Sequence, residues 1–284
     1  MIALNSFVAQ GTVRLTMGPH PERARQDAES LLRHLIGKDK AWLIAHWKDS
    51  LRDEQAADYM ELLERRYKGE PMQYITGVTE FYGLPFRVSP AVLIPRPETE
   101  LLVESVIKLA EHVQEPRIVD VGTGSGAIAV AFAHQLPNAA ITAIDISAQA
   151  LDIARQNAGR NRVRDRINFI EGDLLAPVAA CKFDIVVSNP PYVSATDRAS
   201  LAVEVREHEP ALALFAGEDG LDVYRRLIPA AFAALVPGGY LAIEIGFGQS
   251  PAIAALLAES GFSGIDFVPD LQEIPRVAIA QRRG

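Results

Sequence analysis

Asn189-Pro190-Pro191-Tyr192 brings together the residues of this 284-residue chain whose types and order best suit chemistry. An asparagine side-chain oxygen and a proline carbonyl are two hydrogen-bond acceptors, and the tyrosine adds a flat ring. Two oxygens and a ring face fit a planar NH2 group, as in an amide or an amino-substituted base. The segment follows Phe183-Asp184-Ile185-Val186-Val187-Ser188, an apolar run that reads as a buried strand, and consecutive prolines cannot continue a ladder. The acceptors are therefore fixed at the C-terminal rim of a sheet, where open α/β sheets bind ligands. An ordinary Asn-Pro turn followed by a surface tyrosine would have the same four residues.

A second constellation lies upstream. Arg117-Ile118-Val119-Asp120-Val121 runs into Gly122-Thr123-Gly124-Ser125-Gly126 and then the Ala-rich stretch Ala127 to His134, which reads as strand, glycine turn and helix. Glycines let the backbone reach positive φ and let a ligand approach without meeting a Cβ. The helix N-terminus favours a carboxylate or phosphate. The spacing is G-x-G-x-G with Asp120 two residues ahead, not the G-x-G-x-x-G of dinucleotide sites, and so points to a different adenosine cofactor. A further strand, Ala140 to Ile144, ends at Asp145, about 20 residues on, where an acid reaches ribose hydroxyls. Ser147 is placed to cap the amphipathic stretch Ala148 to Asn157. The strand Arg166 to Ile170 leads to Asp173 and Leu174, an acceptor for an adenine amino group beside an apolar side chain.

Taken together these segments resemble a class I methyltransferase using S-adenosylmethionine, and more closely the HemK/PrmC-type glutamine methyltransferases of peptide chain release factors. The resemblance is carried by Leu93-Ile94-Pro95-Arg96-Pro97-Glu98-Thr99-Glu100, Asp120 with the glycine turn, Asp145-Ile146-Ser147, Glu171-Gly172-Asp173, Ser188 to Tyr192, Glu209-Pro210 and Glu244-Ile245-Gly246. It implies that Gly122, Thr123, Gly124, Ser125 and Gly126 hold the methionine end of S-adenosylmethionine, Asp145 its ribose, and Asp173 with Leu174 its adenine. Arg96, Thr99 and Glu100 are implied on the cofactor's other side, and Asn189 beside both cofactor and substrate. Asn189 and Pro190 would accept the amide hydrogens of a glutamine in a Gly-Gly-Gln segment, with Pro191 in the same turn and Tyr192 packed on the amide plane. Asn189, Pro190 and Tyr192 are thus the expected catalytic residues. The family has variable, sometimes aromatic residues where this chain has Leu174, which leaves the adenine stacking open.

Composition sets outer limits. A hydrophobic content of 49% over 284 residues suffices for one large core and a smaller domain. The single Cys181, expected to be partly buried, excludes an intrachain disulfide framework and suits a reducing compartment. Residues Met1 to Gln10 lack the features of a signal peptide, no apolar run is long enough to span a membrane, and the six His show no ligand spacing. The expectation is a cytoplasmic monomer without membrane or metal. A formal net charge of −8 opposes a stable nucleic-acid partner, and the run Arg155, Arg160, Arg162, Arg164, Arg166 reads as a solvated helix end and loop.

The predicted class is α/β: a Rossmann-like methyltransferase domain over 93–284 with a seven-stranded mixed sheet. Ahead of it come an all-α bundle over 1–72, implied by the resemblance to bind substrate, and a β-hairpin linker over 73–92. Helical spacing marks Pro21 to Ile36, Ala41 to Trp47 and Asp53 to Tyr67, and the hairpin is placed at Gln73 to Val88. Val193 to Leu214 reads as a polar loop, followed by a helix over Gly220 to Leu235. The strand Tyr240 to Glu244 comes after the turn Pro237-Gly238-Gly239. Glu244 reads as a buried partner for a backbone group or an arginine, with a catalytic role as the alternative. Ser250 to Glu259 is a helix, and Gly264 to Val268 with Arg276 to Ala280 a terminal hairpin. Methylation of exocyclic amino groups in DNA or RNA uses the same acceptor pair and is the alternative activity. A scaffold that merely keeps the fold needs neither motif.

Overall fold

The computed structural model describes residues 2–283, which group into two units. The first runs to Gly77 and includes Leu201–His208; the second comprises Val78–Ser200 and Glu209 onward.

The first unit contains α1 (Leu4–Thr16), α2 (Ala24–Ile36), α3 (Lys40–Ala45), α4 (Asp53–Tyr67) and α5 (Met72–Thr76). Ala24, Ala28, Leu31 and Leu32 form the buried stripe of α2, as their spacing predicts. Helix α1 was not expected, because Gly11 and three threonines or serines lower its helical propensity. Packing explains the glycine: a Cβ at Gly11 would stand 2.6 Å from the Tyr59 hydroxyl. The interior also holds charge. Buried Arg66 donates through Nε to Asp27 Oδ2 at 2.6 Å and through Nη1 to Glu204, and Asp27 is itself buried.

In the second unit β1 (Val78–Phe81) and β2 (Leu84–Arg87) form the hairpin, which begins later than expected because residues 72–76 are helical. There follow α6 (Thr99–Ala110), β3 (Arg117–Val121), α7 (Ala127–Gln135), β4 (Ala140–Asp145), α8 (Ala148–Arg160), β5 (Ile167–Glu171) and β6 (Phe183–Ser188). Helix α9 (Val203–His208) belongs to the helical unit; α10 (Asp222–Ala234), β7 (Leu235–Glu244), α11 (Ser250–Glu259), β8 (Phe262–Pro269) and β9 (Pro275–Arg282) complete the chain. The sheet has the order β5-β4-β3-β6-β7-β9-β8, with β9 antiparallel to both neighbours and the other pairs parallel. This is the predicted seven-stranded mixed sheet. Strand β7 starts at Leu235, and the expected turn at Pro237-Gly238-Gly239 is an irregularity within it.

Both faces of the sheet are apolar, as a mostly parallel sheet between helices requires. Ile118, Ile185 and Val187 pack on one side with Leu102, Val106 and Phe132; Val119 and Val186 pack on the other with Tyr224, Leu227 and Leu257. Connections leave β3 toward β4 and leave β6 toward β7, so the order reverses between β3 and β6, a topological switch point. Cys181 is exposed, not partly buried, because it lies in the turn before β6. Among the described residues no helix is long and apolar enough to cross a membrane.

Candidate active site

At the switch point Val121 and Ser188, the last residues of β3 and β6, are ladder partners, and Ser188 Oγ donates to the Val121 carbonyl at 2.7 Å. Beyond them the two turns singled out from the sequence open into one cavity of about 380 Å³. That size is typical of small-molecule sites. Gly122, Thr123, Gly124 and Ser125 line it from β3; Asp145 and Ser147 from β4; Asp173 and Leu174 from β5; Asn189 and Pro191 from β6. Arg96 and Thr99 close the side at the start of α6.

The glycine turn is held from below. Gly122 and Thr123 N–H both donate to the Ile144 carbonyl, at 2.8 and 2.9 Å. Gly124 N–H donates to Asp145 Oδ2 at 2.8 Å, and Ser147 N–H to Asp145 Oδ1 at 2.9 Å. Burial raises the Asp145 carboxyl above its usual range, and backbone donors pull the other way. A carboxylate has about four lone-pair positions, so acceptor capacity remains for a ribose hydroxyl beside these backbone donors. Gly126 has φ +80°, and a Cβ there would lie 3.0 Å from the Ala154 Cβ, so α7 begins against α8 with no space for a methyl. A Cβ at Gly122 would meet nothing within 4 Å; that face of the turn is open. The first amides of α7 lack intrahelical partners and suit a carboxylate. Beneath the turn, fully buried Asp120 accepts from Thr123 Oγ1 at 2.6 Å, and desolvation pushes it up to about 7. An acid for hydroxyls, an open glycine face and a helix N-terminus match a ribose and an amino-acid carboxylate, so these residues fit an adenosine–methionine cofactor.

The Asn-Pro-Pro-Tyr turn is held from behind. Asn189 Nδ2 donates to Thr99 Oγ1 at 3.0 Å, and Thr99 Oγ1 donates to Glu244 Oε2 at 2.7 Å. The Tyr192 hydroxyl donates, at a long 3.5 Å, to Glu244 Oε1, and the Tyr224 hydroxyl to the Glu244 carbonyl at 2.7 Å. Glu244 is buried, as the sequence suggested, but its carboxylate partners are hydroxyls, not a backbone group or an arginine. Desolvation pushes its carboxyl up to about 7. Burial likewise raises the Tyr192 phenol, which stays protonated.

Not every expected residue reaches the cavity. Pro190 is buried and Tyr192 partly buried, and neither lines it; Gly126 acts at the helix start. The Glu100 carboxylate turns to the hairpin, accepting from Tyr82 N–H at 2.7 Å. Arg96 lines the cavity while donating through Nη2 to buried Glu209 at 2.5 Å. Asp173 pairs with Arg226, also in the lining, and Leu174 adopts φ +50°. Three residues of the site's framework went unread. Buried Asn157 donates to the Ser125 carbonyl at 2.8 Å, Gln249 Nε2 donates to the Tyr192 carbonyl at 3.0 Å, and Arg226 holds Asp173. Only Asn157 left a trace in the sequence, as a polar residue on the apolar stripe of α8.

Residues 97–208 match the methyltransferase small domain family, and residues 8–77 the PrmC N-terminal domain family. A release factor glutamine methyltransferase of Geobacter sulfurreducens is 42% identical over 256 residues, covering 90% of this chain and 89% of its own. One from Moorella thermoacetica is 40% identical over 283 residues, 99% of each chain. Among solved structures, the hMettl16 catalytic domain in complex with an RNA hairpin aligns with TM-score 0.59 at 17% identity, covering 87% of this chain and 93% of that one. The Thermus thermophilus 16S rRNA methyltransferase RsmC, in complex with AdoMet and guanosine, aligns with TM-score 0.54 at 21% identity over 72% of this chain and 50% of its own. At those identities the structural likeness speaks to fold alone.

Proposed function

The chain belongs to the release factor glutamine methyltransferase family, and from that premise we propose that it transfers a methyl group from S-adenosylmethionine to the side-chain amide nitrogen of the glutamine in the Gly-Gly-Gln segment of peptide chain release factors. The observation that carries the reading is the convergence of the glycine turn, Asp145 and Asn189 on one cavity.

S-adenosylmethionine supplies an electrophilic methyl group on a sulfonium, a good leaving group. Gly122 to Ser125 and the start of α7 would hold its methionine end, Asp145 its ribose hydroxyls, and Asp173 with Leu174 its adenine. Arg96 and Thr99 bound the other side. An amide nitrogen is a weak nucleophile because its lone pair is delocalised into the carbonyl, and the side chain bonded to the Asn189 amide is the Thr99 hydroxyl, which is not a base. The chain's contribution is alignment: Oδ1 of Asn189, in the cavity lining, would accept one N–H group, while the Pro190 carbonyl as second acceptor and Tyr192 on the amide plane, roles implied by the family, lie outside that lining. As the amide nitrogen takes up the methyl group, the positive charge growing on it would strengthen these hydrogen bonds. The surplus proton leaves to water. Positioning of this kind supplies roughly 7–11 kcal/mol in favourable cases.

To the helical unit, which matches the PrmC N-terminal domain family, we assign the grip on the protein substrate, and a cytoplasmic site of action goes with a translation factor as substrate. The test is incubation with methyl-labelled S-adenosylmethionine and either a release factor, the same factor with its Gly-Gly-Gln glutamine changed to glutamate, or nucleic acid, followed by mass mapping. Label on that glutamine alone supports the reading. Label on adenine alone sinks it in favour of base methylation, which the net charge of −8 opposes.

A further inference from the structure

Behind Asn189 a line of hydrogen bonds runs away from the cavity: Asn189 Nδ2 to Thr99 Oγ1 at 3.0 Å, then Thr99 Oγ1 to Glu244 Oε2 at 2.7 Å. Its far members are shielded from water, Thr99 being 4% and Glu244 3% exposed. The direction of this line is dictated by its last member. An ionised carboxylate has no proton and only accepts, whereas threonine has a single hydroxyl hydrogen. That hydrogen is committed to Glu244, so Thr99 has only lone pairs to offer Asn189. The amide must then face Thr99 with its NH2, because the flipped amide would set oxygen against oxygen without a hydrogen between them. Oδ1 is left facing the other way, free to accept.

Resting on the reading of Asn189 given above, we propose that Thr99 and Glu244 are positioning residues that fix the Asn189 amide with its oxygen, not its NH2, toward the substrate amide. A freely turning asparagine would offer a donor to the substrate NH2 in half of its orientations, and donor against donor repels. The line removes that half. Thr99 therefore acts through Asn189, beyond merely bounding the cofactor cavity.

The groups that face Glu244 bear on when the line holds. They are Thr99 on α6, Tyr192 after β6, Glu98 ahead of α6 and Arg276 on β9, while Tyr224 on α10 bonds only the main-chain carbonyl. Burial is the largest influence and raises the carboxyl to about 7; Glu98 adds to the rise, and Thr99, Arg276 and Tyr192 oppose it. A protonated Glu244 no longer forces the threonine hydrogen toward itself, so the orientation is held on the alkaline side of that transition.

The test uses the full chain and a release factor, measuring kcat at saturating S-adenosylmethionine and, separately, Kd for S-adenosylmethionine by calorimetry. Thr99→Val keeps the shape without the hydroxyl and is expected to lower kcat by about tenfold or more, the worth of one buried charge-linked hydrogen bond, with Kd changed less than about threefold. Thr99→Ser recovers most of that loss. In the unaltered chain kcat rises between pH 6 and 8, and Glu244→Gln removes that rise. The last measurement stands even if the valine variant does not fold. Unchanged kcat in Thr99→Val, a loss confined to Kd, or a pH rise that persists in Glu244→Gln overturns the proposal. Asn189→Ala separates the two levels: if it abolishes turnover while Thr99→Val does not, the line fails and the reading of Asn189 stands; if it retains turnover, both fall.

Discussion

Asn157 on α8 donates through Nδ2 to the Ser125 carbonyl at 2.8 Å, and the same side chain closes a pair of hydrogen bonds with the main chain of Arg87, accepting from its N–H at 2.7 Å and donating to its carbonyl at 3.0 Å. One fully buried amide therefore ties the glycine turn to the hairpin. Asn157→Ala leaves the Arg87 N–H and carbonyl and the buried Ser125 carbonyl without this partner, which costs about 1–3 kcal/mol for the buried group and less for the part-buried ones. The expected outcome is a lower urea midpoint and a several-fold higher Kd for S-adenosylmethionine by calorimetry. An unchanged Kd would show that the turn keeps its shape without this tie.

Two buried carboxyls make stability depend on pH. Asp120 and Glu244 stand near 7 in the folded chain, against 3.8 and 4.5 for the exposed groups. Between about pH 4 and 7 the folded chain keeps protons that the unfolded chain has released. The stability these groups contribute is thus whole below pH 4 and is lost as pH rises through 7. Urea unfolding of the cofactor-free protein is expected to give a lower free energy at pH 8 than at pH 5. Glu244→Gln should flatten the difference by up to about 3 kcal/mol. A difference as large in the glutamine variant as in the parent rules out Glu244 as its source.

Asp145 acts twice, on its own loop and on the cavity. Its removal in Asp145→Ala leaves Gly124 N–H and Ser147 N–H without their carboxylate and deletes an acceptor from the lining. A loss of at least tenfold in S-adenosylmethionine affinity is expected, about 1.4 kcal/mol or more. Equilibrium dialysis with labelled cofactor measures it, and affinity within twofold of the parent would remove Asp145 from the site.

In the helical unit buried Arg66 is paired with buried Asp27 and with partly exposed Glu204. Breaking a buried pair from one side strands the other charge, typically at 3–5 kcal/mol, whereas replacing both partners with apolar groups is often neutral. Arg66→Leu is expected to raise amide hydrogen exchange across α2 and α4, and Arg66→Leu with Asp27→Leu to restore much of the protection. If the double variant exchanges as fast as the single one, packing around the arginine stem, not charge, is what Arg66 provides.

Strands β3, β4 and β6 were legible because each is a short apolar run closed by a glycine, acid or proline turn, and their ends carried the motifs of the site. The sheet's mixed direction followed from the terminal hairpin. Helices α1 and α6 were not read: Gly11 hides the first, and the proline-rich Leu93 to Glu100 segment drew attention to its motif while Thr99 was starting a helix. Nor do local patterns reveal a partner 145 residues away, as Glu244 is from Thr99. Asn157 and Gln249 are polar residues whose bonds go to main chain elsewhere, and nothing in their own neighbourhood names the recipient. Glu100 shows the converse, a motif residue spent on the hairpin.

The pairing of Val121 with Ser188 has a bearing on how much must happen in each catalytic cycle. Neighbouring strands are spaced at about 4.8 Å by their ladder, and the serine hydroxyl adds a rivet across that gap. The roots of the two turns, one proposed to face the methyl donor and the other its acceptor, are thus set at a separation decided when the sheet folds. Because the two roots are direct ladder neighbours, this share of the alignment is inherited by every turnover instead of being searched for anew.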